Sequence, residues 1–269
     1  MSKESELKKV TVPDFRRWKK RGEKIVVLTA YDMLLAALED AAGVDCILVG
    51  DSVGMVFSGY ESTLPVTLEQ MLYHTRAVRR GVKRALLVTD MPFLTFQISP
   101  EETLRNAGKL LQEGGAEAVK IEGPYHETIT RLVGAGIPVM GHLGLTPQSI
   151  NQLGGYGVRG KGQKEAERIL QQARDLENAG CFSIVLEKIP AALAAEISAA
   201  LKIPTIGIGA GPHCDGQVLV NYDMLGLFEE FQPRFVRRYA RLAATVREAV
   251  SDFVRDVRSG DFPSSGESF

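Results

Sequence analysis

Short runs of apolar residues recur along the chain and alternate with longer stretches in which apolar residues return every three or four positions. The first seven runs are nearly continuous in apolar residues, which is typical of strands with both faces buried in a parallel sheet. The runs occupy residues 25–30, 46–50, 85–90, 118–122, 138–143, 182–187, 204–209 and, more weakly, 218–225. This pattern predicts eight parallel strands.

The stretches between the runs carry helix signals at their ends. Thr67 and Gln70 have the spacing of a capping box, and Ser99 precedes Pro100 at a position where proline opens helices. The predicted helices span residues 31–42, 68–80, 100–113, 125–134, 164–179 and 190–201. Alternating strands and helices favour one α/β domain, a closed (β/α)8 TIM barrel, with an open doubly wound sheet as the alternative.

Two further helices are predicted outside this repeat. Residues 11–22 form a short N-terminal helix that is placed to plug the bottom of the barrel. Residues 233–258 form a long amphipathic C-terminal helix, which is either the last barrel helix or a subunit contact. We interpret residues 1–269 as a single domain and expect residues 1–10 and 259–269 to be flexible.

Composition and charge narrow the class of partner. The chain has 269 residues, 45% of them hydrophobic, and a formal net charge of −1, so no global field attracts nucleic acid or an acidic membrane. No apolar run is long enough to span a bilayer, and the charged N-terminus has no apolar stretch suited to a signal peptide. We expect a cytoplasmic protein that acts on small molecules at a local site.

Two predicted loops are longer than a simple connection requires. Residues 51–66 and 144–163 both leave the C-terminal ends of predicted strands, where barrel enzymes carry their active sites. The second loop has a composition that suits a mobile lid. Its glycines are Gly154, Gly155, Gly157, Gly160 and Gly162.

Acidic residues stand at the ends of several predicted strands. Asp51, Asp90 and Glu122 follow or end three consecutive strands, and Glu187 ends the sixth. Neighbouring strands lie about 4.8 Å apart, so these carboxylates can converge. Converging carboxylates raise each other's pKa, and a hard divalent cation such as Mg²⁺ relieves this repulsion. For each residue alone, a helix cap or a turn remains the alternative.

A lysine and a histidine accompany the acidic residues. Lys120 and Glu122 are two positions apart on one strand and therefore point to the same side of the barrel wall. A buried lysine requires an anionic partner, either a substrate carboxylate or enolate, or Glu122 in an internal ion pair. His142 lies on the next strand, as a site residue or a core histidine, and Ser52 is a site residue or a turn residue.

The same residues lie in stretches that resemble the ketopantoate hydroxymethyltransferase family. The likeness runs over roughly residues 10–255. The matching stretches are residues 49–81, 88–93, 118–123, 139–149, 185–190 and 203–227. The resemblance implies a one-carbon transferase of pantothenate biosynthesis, which forms 2-dehydropantoate from 3-methyl-2-oxobutanoate and 5,10-methylenetetrahydrofolate through a Mg-stabilised enolate.

The resemblance also implies particular roles for residues. It implies one Mg²⁺ per subunit, held by Asp51, Asp90 and Glu122, and Glu187 as the catalytic proton acceptor. The substrate-binding residues that it implies are Asp51, Ser52, Asp90 and Lys120. His142 is a secondary candidate for proton traffic or for orienting a ligand. Members of the family form large homo-oligomers, commonly decamers, which we expect here too.

Two other functions remain as alternatives. A Mg²⁺-dependent 2-oxo-acid lyase of the phosphoenolpyruvate mutase or isocitrate lyase type is expected to carry a reactive cysteine in the loop after a strand. Cys46 and Cys181 instead begin predicted strands. A non-catalytic barrel is expected to lack acidic residues at its strand ends, which this sequence has.

Overall fold

Eight parallel strands close into a barrel in which each strand pairs with the next and the last pairs with the first. The structure is a computed structural model, and it describes residues 8–229 and 233–269. The strands are β1 (Ile25–Thr29), β2 (Cys46–Val49), β3 (Leu86–Asp90), β4 (Ala118–Glu122), β5 (Val139–Gly144), β6 (Ser183–Glu187), β7 (Thr205–Ile208) and β8 (Gly216–Leu219). This arrangement confirms the predicted (β/α)8 barrel.

Helices form where the hydrophobic pattern predicts them, and three short helices over residues 53–56, 150–153 and 221–225 are additional. The helices are α1 (Val12–Arg21), α2 (Met33–Ala41), α3 (Val53–Val56), α4 (Leu68–Gly81), α5 (Pro100–Gln112), α6 (His126–Gly134), α7 (Ile150–Leu153), α8 (Gln163–Asn178), α9 (Ala191–Ala200), α10 (Asn221–Leu225) and α11 (Leu242–Ser259). The capping box of Thr67 and Gln70 opens α4, and the Ser99 hydroxyl accepts the Glu102 N–H at the start of α5. These caps satisfy backbone donors that the first helical turn leaves free.

The barrel interior is apolar at its N-terminal end. Alternate strand residues such as Val27, Leu48 and Val88 point into one buried cluster. Helix α1 contributes Phe15, which is fully buried and contacts the edge of the Phe182 ring at a centroid distance of 5.3 Å. The prediction that the N-terminal helix plugs the bottom of the barrel agrees with this packing.

The chain divides into two compact units, Met1–Val220, which contains the barrel, and Asn221–Phe269. The interpretation of the whole chain as a single domain stays a prediction. The expected flexibility of residues 1–10 falls mostly on residues 1–7, outside the described residues. The tail contains a short 3-10 turn at Ser265–Glu267, and its flexibility also stays a prediction. Within the described ranges, every helix is too short or too polar to cross a membrane.

The eighth strand begins earlier than the apolar pattern predicts. It covers Gly216–Leu219 rather than residues 218–225, and the second half of the predicted run is helix α10. A Cβ on Gly216 would collide with the Ile25 carbonyl oxygen, so the close approach of β8 to β1 requires glycine there. Because β8 begins with Gly216 and Gln217, its first half has no apolar run that would predict a strand.

The C-terminal helix begins later than predicted, at Leu242 rather than at residue 233. The Val236 N–H donates to the Pro233 carbonyl in a turn, and the Tyr239 N–H donates to the Met224 carbonyl at 2.8 Å. These hydrogen bonds take the segment out of a helical path, although its apolar residues keep helical spacing. Such a tertiary interaction has no signal in local periodicity.

The packing of Phe15 from α1 against the bottom of the barrel predicts that its removal lowers the free energy of unfolding. Phe15→Ala removes a fully buried ring from the bottom of the barrel and should lower the free energy of unfolding by about 3–5 kcal/mol. Ile98→Ala, a truncation at a side chain that is 62% exposed, should change it by about 0.5 kcal/mol or less. Urea unfolding followed by circular dichroism measures both. Equal losses would show that the Phe15 ring does not support the barrel.

Candidate active site

The predicted site residues lie together at the C-terminal ends of neighbouring strands. Asp51 and Ser52 follow β2, and the other five lie on β3 to β6. The residues on the strands are Asp90, Lys120, Glu122, His142 and Glu187. Parallel strands bring their C-terminal ends to one rim of the barrel, and this is why residues distant in sequence meet.

Lys120 is the cation at the centre of the cluster. Its Nζ lies 2.6 Å from Asp90 Oδ1 and 3.9 Å from Glu122 Oε1, and its side chain is 5% exposed. Burial lowers the pKa of Lys120, but the charges of Asp90 and Glu122 outweigh burial and raise it. Lys120 therefore stays protonated.

Asp51 shows that negative charge is in excess. Its backbone N–H donates to Asp90 Oδ2 at 3.0 Å, so two carboxylates are held close together. Burial, followed by the charges of Asp90 and Glu122, raises the pKa of Asp51 well above its usual value. One protonated lysine does not balance three buried carboxylates, and a further positive charge would stabilise the ionised form of Asp51.

His142 connects the buried cluster to Glu187. Its Nδ1 lies 3.3 Å from Glu122 Oε1, and its Nε2 lies 3.3 Å from Glu187 Oε2. Burial and Lys120 lower the pKa of His142, but hydrogen bonding to Glu122 and Glu187 raises it to about 9. His142 therefore belongs to the polar cluster and not to the apolar core.

Glu187 stands at the open edge of the cluster, with its side chain 16% exposed against 4% for Glu122. The next residue, Lys188, has a φ of +46°, a left-handed conformation that is rare outside glycine. Its N–H donates to the Ile208 carbonyl and its carbonyl accepts the Arg159 N–H, each at 2.9 Å. These two hydrogen bonds hold the backbone directly after Glu187.

Sequence reasoning missed Gln148, which lies in the loop after β5 and is buried. Its side-chain amide donates to Asp51 Oδ2 at 2.8 Å and to the Met91 carbonyl at 2.9 Å. Its backbone N–H donates to Glu122 Oε2 at 3.0 Å. Gln148 thus bridges two of the carboxylates. The available signal was its position within residues 139–149, a stretch that carries the family resemblance.

Two tyrosines were also missed. The Tyr31 hydroxyl lies 2.8 Å from Ser52 Oγ, so Ser52 has a hydrogen-bond partner at the rim. Tyr156, in the loop 144–163, lies 4.0 Å from the sulfur of Met55 in the loop 51–66. Burial, with the charges of Glu187 and Asp51, raises the pKa of Tyr156. The two long loops therefore meet beside the cluster.

The chemistry of the carboxylates fits a hard divalent cation. Asp51, Asp90 and Glu122 offer oxygen ligands only, and the raised pKa of Asp51 reflects unbalanced negative charge. In residues 8–229 and 233–269, no three His, Cys, Asp or Glu side chains are gathered closely enough to hold a metal ion as they stand. Lys120 and Gln148 occupy the facing oxygens, so binding a cation requires these side chains to shift.

A cavity of about 490 Å³ opens beside Glu122. Its walls come from the loops after β3, β4 and β5 and from α8, and include Phe96, Tyr125, Gln152 and Arg168. The rings of Phe96 and Tyr125 meet edge to face at 5.3 Å. The cavity offers aromatic and polar groups next to the cluster.

The three cysteines are buried at or just before the starts of strands, away from the catalytic rim. Cys46 begins β2, Cys181 precedes β6, and Cys214 precedes β8; all three are buried. Burial raises the pKa of each thiol, to about 12 for Cys181. A reactive thiolate, which the lyase alternative requires, is therefore not among them.

Sequence comparisons identify a family. The family model described as ketopantoate hydroxymethyltransferase matches residues 9–265. A curated protein of Pelobacter propionicus named 3-methyl-2-oxobutanoate hydroxymethyltransferase is 56% identical over 97% of this chain and 98% of its own length. A protein of the same name from Syntrophus aciditrophicus is 55% identical and is covered in full, as is this chain.

A comparison of structures supports the fold. The crystal structure of 2,3-dimethylmalate lyase, a member of the PEP mutase/isocitrate lyase superfamily, aligns with a TM-score of 0.62. The alignment covers 91% of this chain and 87% of that chain at 18% sequence identity. This identity is low, so the likeness shows a shared barrel and carries no argument for lyase activity.

The bridge made by Gln148 predicts a loss of stability in the metal-free protein. Gln148→Ala leaves Asp51 Oδ2 and the Met91 carbonyl without their donor and should lower the free energy of unfolding by about 1–3 kcal/mol. Gln152→Ala removes an exposed amide from the same loop and should have little effect. Urea unfolding in EDTA tests both variants. A loss in both, or in neither, would contradict the bridging role.

Proposed function

This chain belongs to the ketopantoate hydroxymethyltransferase family, and we propose that it transfers a hydroxymethyl group from 5,10-methylenetetrahydrofolate to 3-methyl-2-oxobutanoate. The product is 2-dehydropantoate, and the reaction is the first step of pantothenate biosynthesis. The observation that carries the proposal is the grouping of Lys120, three buried carboxylates and the more open Glu187 at one rim. This set can bind a 2-oxo acid and remove a proton from it.

We propose that Asp51, Asp90 and Glu122 hold one Mg²⁺. The raised pKa of Asp51 supports this assignment, because a divalent cation would offset the excess negative charge. Bound there, the ion would act as a Lewis acid on the 2-oxo group and make the neighbouring C3 proton more acidic. Gln148 would then have to release Asp51 Oδ2, which it contacts at 2.8 Å.

Lys120 and Ser52 are suited to hold the substrate. Lys120 is a buried, protonated donor, and its attraction for the carboxylate of the 2-oxo acid is strong in surroundings from which water is excluded. It also stabilises negative charge that develops on the oxo oxygen when C3 loses its proton. The Ser52 hydroxyl, paired with Tyr31, offers a second donor at the rim.

Glu187 is the proposed proton acceptor. Its side chain reaches the open edge of the cluster, and the left-handed turn at Lys188 holds the backbone that directs it. The C3–H bond breaks and the proton moves to Glu187. C3 then bonds to the methylene carbon as one C–N bond of the donor breaks, and water supplies the hydroxyl group as the second C–N bond breaks and tetrahydrofolate leaves. His142, 3.3 Å from Glu187 Oε2, is in position to orient this carboxylate or to pass the proton on.

The cavity beside Glu122 offers space for the one-carbon donor. Its volume of about 490 Å³ and its aromatic walls suit a flat heterocycle, and it opens directly on the cluster. The loop 144–163 borders this cavity through Gln148 and Leu153 and approaches Glu187 through Tyr156. We propose that the loop acts as a lid that closes over the reacting groups during the transfer.

We further propose a cytoplasmic homo-oligomer, a decamer by resemblance to the family. Exposed apolar side chains on α11, such as Val246, Val250 and Phe253, support a contact between subunits. Large apolar side chains of this kind are usually covered in an assembly.

Proton exchange tests the proposed function directly. The protein is incubated with 3-methyl-2-oxobutanoate in D₂O, and the C3 proton is followed by NMR with Mg²⁺ and then with EDTA. We expect exchange with Mg²⁺ and none with EDTA, because C3 is acidified only when the oxo group is polarised. Adding 5,10-methylenetetrahydrofolate should then convert the substrate to 2-dehydropantoate. Folded protein that gives neither exchange nor product would refute the proposal.

The role of Glu187 has its own test. Glu187→Gln keeps the shape of the side chain but removes the base, and should reduce turnover by about 10²–10⁴-fold. Binding of the 2-oxo acid, measured by calorimetry with Mg²⁺ present, should remain close to that of the unmodified protein. Glu196→Gln, an exposed change on α9, is the matched control. Unchanged turnover in Glu187→Gln would remove Glu187 from the role of base.

A further inference from the structure

A second cavity, of about 570 Å³, lies at the opposite end of the barrel from the catalytic cluster. One wall is helix α1, and the other walls are the segments that enter β6 and β7. Because those segments precede their strands, the cavity opens at the N-terminal end of the barrel. The proposed reaction uses none of its residues.

Three cations in this cavity have no ion-pair partner in the described part of the chain. Arg16 and Lys20 are four residues apart and therefore share one face of α1, while Lys202 stands on the segment before β7. Their neighbour Lys19 differs, because its Nζ lies 2.9 Å from Asp215 Oδ2. Arg17 also lines the cavity but pairs with Asp14.

The single acidic residue of the cavity wall is outnumbered by these cations. Glu177 Oε1 accepts the backbone N–H groups of Lys202 and Ile203, at 2.6 Å and 2.9 Å. Its oxygen is thus directed to the backbone before β7. The cavity wall therefore carries more cations than carboxylates, although the protein as a whole carries a net charge of −1.

Apart from Asn178, the rest of the wall is apolar. The cavity is also lined by the apolar side chains of Val12, Cys181, Phe182 and Ile203. The Phe182 ring packs against the fully buried Phe15 ring of α1. An occupant that suits the cavity therefore combines negative charge with an apolar or aromatic portion.

We propose that this cavity binds a phosphorylated small molecule of nucleoside diphosphate size. Cations on two walls can contact a diphosphate from both sides, and the apolar wall can accept a base. Arginine and lysine are the usual partners of phosphate groups in proteins. The proposal does not depend on the proposed reaction, because the cavity and the catalytic cluster lie at opposite ends of the strands.

Calorimetric titration with ADP tests the proposal on the full-length protein in EDTA at low ionic strength. Without metal, the catalytic rim carries excess carboxylate charge and repels the anion. We expect ADP to bind, and Arg16→Ala, Lys20→Ala and Lys202→Ala combined to weaken binding at least tenfold. The matched control removes three exposed helical cations elsewhere, by Arg80→Ala, Arg105→Ala and Arg131→Ala, and should keep the affinity of the unmodified protein.

Further titrations test which part of ADP is recognised and at which end of the barrel it binds. Inorganic pyrophosphate, which lacks the apolar portion, should bind more weakly than ADP, and added salt should weaken both ligands. In a parallel titration with Mg²⁺ present, saturating 3-methyl-2-oxobutanoate should leave ADP binding unchanged. Absence of ADP binding, equal binding by the triple cavity variant, or competition with the 2-oxo acid would each overturn the proposal. Circular dichroism and retained proton exchange would show that both triple variants are folded.

Discussion

The burial of more carboxylates than cations at one rim of the barrel is the constraint on which the rest of the site depends. Lys120 compensates Asp90 at 2.6 Å, but Asp51 and Glu122 are left to hydrogen bonds from Gln148 and to His142. Burying unpaired charge is costly unless every oxygen is satisfied. The cluster is therefore balanced by groups that a ligand can displace, which is the condition for binding a cation and a 2-oxo acid.

The barrel makes this arrangement possible because its apolar core and its polar rim lie at different levels along the strands. Inward-pointing residues at the N-terminal end form an apolar cluster closed by Phe15, so the strands are held without help from the polar rim. The same alternation then directs Lys120 inward beside Met140, and Glu122 and His142 inward nearer the rim. Because the lower layers carry the stability, the upper layer tolerates repulsion among carboxylates and a strained residue at Lys188.

The loops add what the strands cannot supply. Gln148 ties the loop after β5 to two carboxylates, and Tyr156 brings the same loop towards Met55 and Glu187. Occupancy of the rim and the position of this loop are thus physically linked, since the same amide contacts Asp51 and belongs to the loop. At the opposite end, Arg16, Lys20 and Lys202 form a positively charged cavity that shares no residue with this system.

The sequence by itself determined the eight strands, most helix boundaries and the acidic residues of the rim. Buried strands and helix caps are local patterns, and parallel strands necessarily bring Asp51, Asp90 and Glu122 to one end. It did not determine the start of β8 at Gly216, the delayed start of α11, or the role of Gln148. Each of these features depends on a contact with a residue outside the local segment. Gly216 lies against Ile25, the Tyr239 N–H donates to the Met224 carbonyl, and the Gln148 amide donates to Asp51. The tertiary structure alone decides such contacts, because periodicity and capping report only on neighbours along the chain.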